Sequence, residues 1–239
     1  MKTAIALVAV LAATPALAQV NQAPPNAPNQ KPAFEKQTRA PELSDGVAVR
    51  QQVVIRGLDS PWGLALLPDG AWLITEKPGR MRLFADGALS EPLKGLPKVD
   101  ARGQGGLLDV AVAPDFAQSR RVWFSYAEPR EGGKNGTAVA TGTLSADGTA
   151  LEGVEVIFRQ DPAWASDKHF GSRIVPDGRG GIFVTTGERS VIDARPLAQD
   201  VNTHLGKVLH IDGKTGAPLS GNPFAQGGGK PEILSLIHI

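Results

Sequence analysis

Three stretches of this 239-residue chain repeat one pattern, and the pattern restricts the fold more than any other feature. They are WGLALLPDGAWLITEKPGRMRLF from Trp62, GLLDVAVAPDFAQSRRVWFSYAE from Gly106 and FGSRIVPDGRGGIFVTTGE from Phe170. Each has a Gly-led strand, a Pro-Asp pair, a short gap and a second apolar strand. The Pro-Asp pairs fall at 68–69, 114–115 and 176–177, so the repeats are offset by 46 and 62 residues. Units of about 40–50 residues with several strands each are the signature of propeller blades, because one small sheet cannot bury both its faces and needs a neighbour on each side. The alternative is a β-sandwich in which the turn motif recurs by coincidence.

The rest of the body agrees with an all-β class. QQVVI, AWLITE, MRLFA, LLDVAVA, RVWFSYA, AVATGTL, VEVIF, GIFVTT and KVLHI are strand-length and rich in β-branched and aromatic residues. ADG at 85–87, ADG at 146–148 and DGKTG at 212–216 read as hairpin turns, since Asp-Gly supplies the positive φ of tight turns. The body has no sustained 3.6-residue periodicity. With 28 Gly and 19 Pro the chain is turn-rich, as many short strands require. Three blades cannot seal a ring, which needs at least about four. The chain is therefore expected to be the first half of a larger propeller.

The ends differ from the body. Lys2, an apolar run from Ala4 to Ala13 and the exit Ala16-Leu17-Ala18 form a secretory signal peptide over residues 1–18. Its removal would leave no membrane insertion, and the expected location is periplasmic or secreted. Residues 19–45, rich in Pro, Asn and Gln, read as a linker, with the propeller over 46–233. LSLIHI, residues 234–239, matches the translation of a transposon-end adapter used in preparing sequencing libraries and is expected to be a non-native tail. A formal charge of +1 gives no reason to propose a nucleic-acid partner. The absence of Cys excludes thiolate chemistry and disulfides. No nicotinamide-binding GxGxxG unit, GxSxG elbow, HExxH pair or EF-hand loop is present, and His204 and His210 make no metal motif.

Three residues stand where the strands of the repeats begin or end. His169 lies where a loop enters the first strand of the third repeat. Propeller loops at one end of the blades converge on the axis, and a His there can act as a base near neutral pH; otherwise it is a hydrogen-bonded loop residue. Glu188 follows the next strand. A hairpin at Pro176-Asp177-Gly178 would bring it close to His169, with bulges absorbing the unequal arm lengths. A carboxylate there would fix the ring's tautomer; the alternative is a strand-end Glu paired with Arg189 or Arg195. Gln104 sits between Gly103 and Gly105, which leave the backbone open to a ligand, and its amide can both donate and accept; the alternative is a polar loop residue.

SPWGLALLPDGAWLITEKPGRMRLF, GQGGLLDVAVAPDF, HFGSRIVPDGRGGIFVTTGERS, AQDVNTHLGKVLHID and GNPF, in this order, resemble the soluble quinoprotein sugar dehydrogenases of the glucose/sorbosone and aldose sugar dehydrogenase group, over residues 52 to about 233. The resemblance implies a six-bladed β-propeller that uses pyrroloquinoline quinone (PQQ) and calcium to oxidise the anomeric carbon of an aldose to a lactone, passing electrons to an external acceptor. It gives His169 the role of catalytic base, Glu188 that of the acid supporting it, and Gln104 a place beside the quinone. Lys168 stands where glucose dehydrogenases of the group carry an acid, so glucose is not assigned as substrate. The family's Arg-Asn-Pro segment, calcium ligands and further cofactor contacts belong to the second half, so no metal ligand is assigned in this chain and the fragment by itself is expected to be inactive. Two other readings are a secreted propeller that only binds and a metal-dependent propeller lactonase.

Overall fold

The computed structural model describes residues 24, 28–29, 31–37 and 48–237. The signal peptide, most of the 19–45 segment and His238 lie outside them. The chain divides into two units, residues 1–53 and 54–239. In the first, the described residues form a turn in which Gln37 N–H bonds Phe34 O at 3.0 Å, and an exposed extended stretch.

The second unit is built of three four-stranded antiparallel sheets, each a meander. The first holds β1 (Pro61–Leu66), β2 (Trp72–Glu76), β3 (Arg80–Ala85) and β4 (Ala88–Leu89). The second holds β5 (Leu107–Val112), β6 (Arg121–Pro129), β7 (Asn135–Leu144) and β8 (Leu151–Arg159). The third holds β9 (Gly171–Pro176), β10 (Gly181–Thr186), β11 (Lys207–Asp212) and β12 (Ile233–Leu236). The first strands β1, β5 and β9 lie side by side. Helix is confined to one four-residue turn, Phe116–Ser119, and two 3-10 turns among the described residues. These are three blades of a β-propeller.

Side-chain alternation stacks the sheets. On β6, Val122, Phe124 and Tyr126 face the first sheet, where they meet Leu73 and Met81. Trp123 points the other way, to Ile182, Val184, Leu209 and Ile211 of the third. On β7, Ala138 and Ala140 face one side and Val139 the other. Both faces of the middle blade are therefore buried, which is why LLDVAVA is apolar almost throughout.

Each first strand carries the same bulge, with two residues opposite one between Pro61 and Leu64, Leu107 and Val110, and Gly171 and Ile174. Each bulge is fastened in the same way. The backbone N–H of Gly63, Asp109 or Arg173 donates to a hydroxyl on the second strand of its own blade: Thr75, Ser125 or Thr185. Thr75 and Ser125 pass the bond on, donating to the bulge carbonyls of the next blade, Leu108 O and Ser172 O. One residue past the bulged segment of each second strand, Lys77, Ala127 and Gly187 N–H bond the carbonyls of Ser60, Gly106 and Phe170.

Four sequence expectations shift. QQVVI belongs to no sheet; no described strand pairs with it, and its residues are mostly exposed. The three first strands are equal in length and share the bulge, but the Pro-Asp pair of the third repeat falls two residues earlier relative to its strand. Pro68 and Pro114 begin loops, but Pro176 ends β9 and pairs with Ile182. DGKTG turns the chain back only as far as an isolated bridge between Ile211 and Pro218, because Pro218 has no N–H with which to extend a ladder. The fourth strand of that blade is instead β12, which pairs with β11 and includes Leu234, Ser235 and Leu236. The turn at Asp86-Gly87 is as expected, with φ of 50° and 76° joining β3 to β4.

Ser125→Ala strips a partner from both Asp109 N–H and Ser172 O. The expected loss is about 1–3 kcal/mol for each buried group left unpaired, measured by chemical denaturation. Ser125→Thr, which copies the residue at both equivalent positions, should keep most of the stability.

Candidate functional site

The bulges end at one rim, and there the three blades enclose a cleft of about 500 Å3. Trp62 and Lys77 come from the first blade, Gln104 and Leu108 from the second, His169 and Gly171 from the third. The rim therefore gathers Gln104, which leads into β5, and His169, which leads into β9.

Gln104 and His169 are tied together. His169 N–H donates to Gln104 Oε1 at 2.7 Å, and Gln104 N–H donates to Asp167 O at 2.7 Å. With one Oε1 lone pair taken, the amide keeps its NH2 donors and a second lone pair for a ligand. Gly103 lines the cleft, and both neighbouring glycines are also tightly packed. A Cβ at Gly103 would lie 2.4 Å from Asp167 Oδ2, and one at Gly105 would lie 2.3 Å from Asp100 O. Gly103 is small because the loop before β9 presses on it, and Gly105 because its own loop folds back onto it.

Glu188 meets His169 directly: its Oε2 contacts Nδ1 of the ring. The β9–β10 hairpin and its bulge bring them together, pairing Gly171 with Thr186 and leaving each residue just past a strand end. Glu188 is buried, while the His169 side chain is 46% exposed and lines the cleft. Glu188 Oε1 accepts the N–H of Ser190 at 3.0 Å, which orients the carboxylate. Glu188 is not engaged by Arg189 or Arg195. A Nδ1–H directed at Glu188 leaves Nε2 as the basic lone pair. Burial lowers the pKa of His169 below its usual 6.5, and the Arg189 cation lowers it further. The Glu188 carboxylate acts in the opposite sense by stabilising the protonated ring.

Arg189 gives no functional signal in sequence, yet it lies fully buried behind this pair. Its guanidinium stacks 3.7 Å from the Phe170 ring centroid. It donates to Ser166 O at 2.6 Å, to Asn135 Oδ1, and more distantly to His169 O at 3.5 Å. Among the described residues, four of the seven non-glycine positions with positive φ cluster here: His169 at 48°, Ser172 at 91°, Arg189 at 74° and Ser190 at 52°. Such conformations cost of order 1–3 kcal/mol each and persist only where their surroundings enforce them.

Three blades thus bring a ring in contact with a buried carboxylate beside an amide at a common rim. The Glucose / Sorbosone dehydrogenase family model matches residues 58–238, and the chain belongs to this family. It is 45% identical over 190 residues to the aldose sugar dehydrogenase YliI of Escherichia coli (strain K12), covering 78% of this chain and 50% of that protein. The crystal structure of the soluble aldose sugar dehydrogenase from Escherichia coli in the apo-form matches with a TM-score of 0.69 at 46% identity, over 74% of this chain and 50% of that one. The PQQ-bound aldose sugar dehydrogenase of Streptomyces coelicolor matches with a TM-score of 0.63 at 29% identity, over 76% of this chain and 52% of that one. The chain thus spans about half the length of these relatives, and its three blades stand in proportion to a ring of six.

Two outcomes test this geometry. Glu188→Gln removes the charge that favours the imidazolium, so the His169 pKa should fall further, as read by NMR titration of the ring. Gly187→Ala would set a Cβ 2.0 Å from His169 O, against backbone that cannot swing aside. It should lower the melting temperature and displace the His169 ring from Glu188.

Proposed function

We propose that the intact protein is a quinoprotein dehydrogenase that oxidises the anomeric carbon of an aldose to a lactone, with His169 as the general base. The observation that carries this is the His169–Glu188 contact at the mouth of a cleft shared with Gln104. The chain's membership of a sugar dehydrogenase family supports the substrate class, and the PQQ-bound relative supports the cofactor.

The residues at the rim fit such a group. PQQ is a flat quinone bearing carboxylates; the cleft offers an indole plane at Trp62, amide donors at Gln104 and a cation at Lys77. These three residues would hold it. When bound, it supplies the hydride acceptor. His169 takes the proton of the anomeric hydroxyl on Nε2, while Glu188 stabilises the imidazolium that forms. Gln104 fixes the backbone of His169 and so the height of the ring in the cleft. Among the described residues no group of three or more His, Asp or Glu side chains is placed to hold a metal ion. By the family resemblance, calcium would draw its ligands from further blades, as would the remaining cofactor contacts. A lactonase would need convergent carboxylate and Asn ligands, and the cleft is lined instead by a His, an amide and a lysine. Export to the periplasm and an external electron acceptor complete the proposal; they rest on residues 1–18 and on the chemistry of reoxidation.

Reconstitution of the intact protein with PQQ and calcium, followed by an aldose panel and a dye acceptor, should give sugar-dependent dye reduction. No reduction with any aldose would overturn the reading. His169→Ala should lower kcat by roughly a hundredfold or more. The active base is the neutral ring. Because burial and Arg189 hold its pKa below 6.5, activity should persist under mildly acidic conditions and fall only as the pH drops through that lowered value. An acid limb centred above 6.5 would contradict the assignment.

A further inference from the structure

We propose that Arg189 is a positioning residue for this site: its buried guanidinium clamps the loop that carries His169 and sets a fixed positive charge behind the His169–Glu188 pair. The proposal rests on the catalytic reading of His169 and adds a residue that neither sequence pattern nor family membership assigns.

The clamp has three points on one loop. Nη2 holds Ser166 O, Nη1 reaches His169 O, and the guanidinium plane lies on the Phe170 ring. Ser166 Oγ answers by donating to Arg189 O at 2.6 Å, so the loop and the turn after β10 hold each other. The far side is anchored in the second blade by Asn135, whose Nδ2 donates to Asp100 Oδ2 at 2.8 Å. His169 sits at a left-handed φ that a side chain adopts only under constraint, and this loop would relax without the clamp. Positive φ at Arg189 itself turns the chain, sending Glu188 toward the cleft and Arg189 toward the interior.

The charge is the second part. Among the described residues no carboxylate lies within ion-pair distance of Arg189; the nearest contact to an acid runs through the neutral amide of Asn135. Its Nε has no acceptor. A buried cation without a direct counterion is costly, and a stack on Phe170 alone would be served by an apolar side chain. Burial draws its pKa down to about 10, which still leaves it charged at neutral pH. A cation placed there opposes protonation of His169 and keeps the ring ready to accept a proton. The other charges around the ring are Glu188 in contact with it, Asp167 and Lys168 on its own loop, Lys77 across the cleft, and Asp100 paired with Arg102 on the loop before β5. Arg189 is the one that is both buried and free of a carboxylate.

The test uses the intact protein and reads the His169 ring by NMR as pH is varied, alongside kcat and KM. Arg189→Met removes charge and fork together and should raise the His169 pKa by about one unit, the scale of a nearby charge. Arg189→Gln serves the same arm if the Met variant does not fold. Arg189→Lys keeps the charge but loses the fork. Its His169 should titrate as in the wild type, while kcat drops roughly tenfold or more with little change in KM, the mark of a displaced base. An unmoved His169 titration in a folded neutral variant, or wild-type kcat in Arg189→Lys, overturns the proposal. The titration needs no substrate, so it judges Arg189 even if the wild-type protein oxidises no aldose.

Discussion

One hydroxyl per blade holds this architecture together. Thr75, Ser125 and Thr185 occupy equivalent places on the second strands, and each accepts the backbone N–H that a bulge has withdrawn from its ladder. Thr75 and Ser125 then donate to a carbonyl that the next blade's bulge has likewise left over. A hydroxyl suits this position because it accepts and donates at once. A bulge in a buried first strand would otherwise leave a polar group unsatisfied near the axis of each blade, at about 1–3 kcal/mol apiece. The relay offsets that cost and sets the spacing between blades.

The same bulges make the rim usable. They bend each first strand as it enters its blade, so the residues before it lean over the cleft rather than continue the sheet. Gln104 and His169 occupy such places in successive blades, and the bond from His169 N–H to Gln104 Oε1 locks one lead-in loop to the next. Glu188, just past the end of β10, is at the height of His169 because the bulge takes up the difference between the hairpin's arms. Asp109 adds a further tie. Its buried carboxylate accepts from Ile174 N–H at 2.7 Å and from Arg173 Nη1 at 2.8 Å, joining β5 to β9.

Strain and buried charge gather where the chemistry is proposed. Left-handed backbone at His169, Ser172, Arg189 and Ser190 is held in place by hydrogen bonds from two blades. Stability is given up locally for a fixed relation between a ring, a carboxylate and a guanidinium, which is the usual exchange at functional sites.

The sequence by itself determined the class of fold and the cast at the rim. Strand-length apolar runs, Asp-Gly turns and a recurring Pro-Asp unit specify small antiparallel sheets, since local turn chemistry and period-2 patterning act over a few residues. His169, Glu188 and Gln104 were legible as strand-end residues of successive repeats, because their places follow from the repeat. Register was decided only in three dimensions: a bulge is a contest between one strand and its partner, and all three first strands carry it at the same place although the third repeat's Pro-Asp pair falls two residues earlier. The fourth strand of that blade was likewise out of reach, since β12 finds β11 across a long connection. Gly103 and Gly105 could not be read either, because the atoms that exclude a side chain there, Asp167 of the loop before β9 and Asp100 O of the glycines' own loop, come close only in the folded structure. In sequence Arg189 figured only as a possible partner for Glu188. Only the tertiary structure turns it inward, where burial, the Phe170 ring and carbonyls from a distant loop give the guanidinium its surroundings.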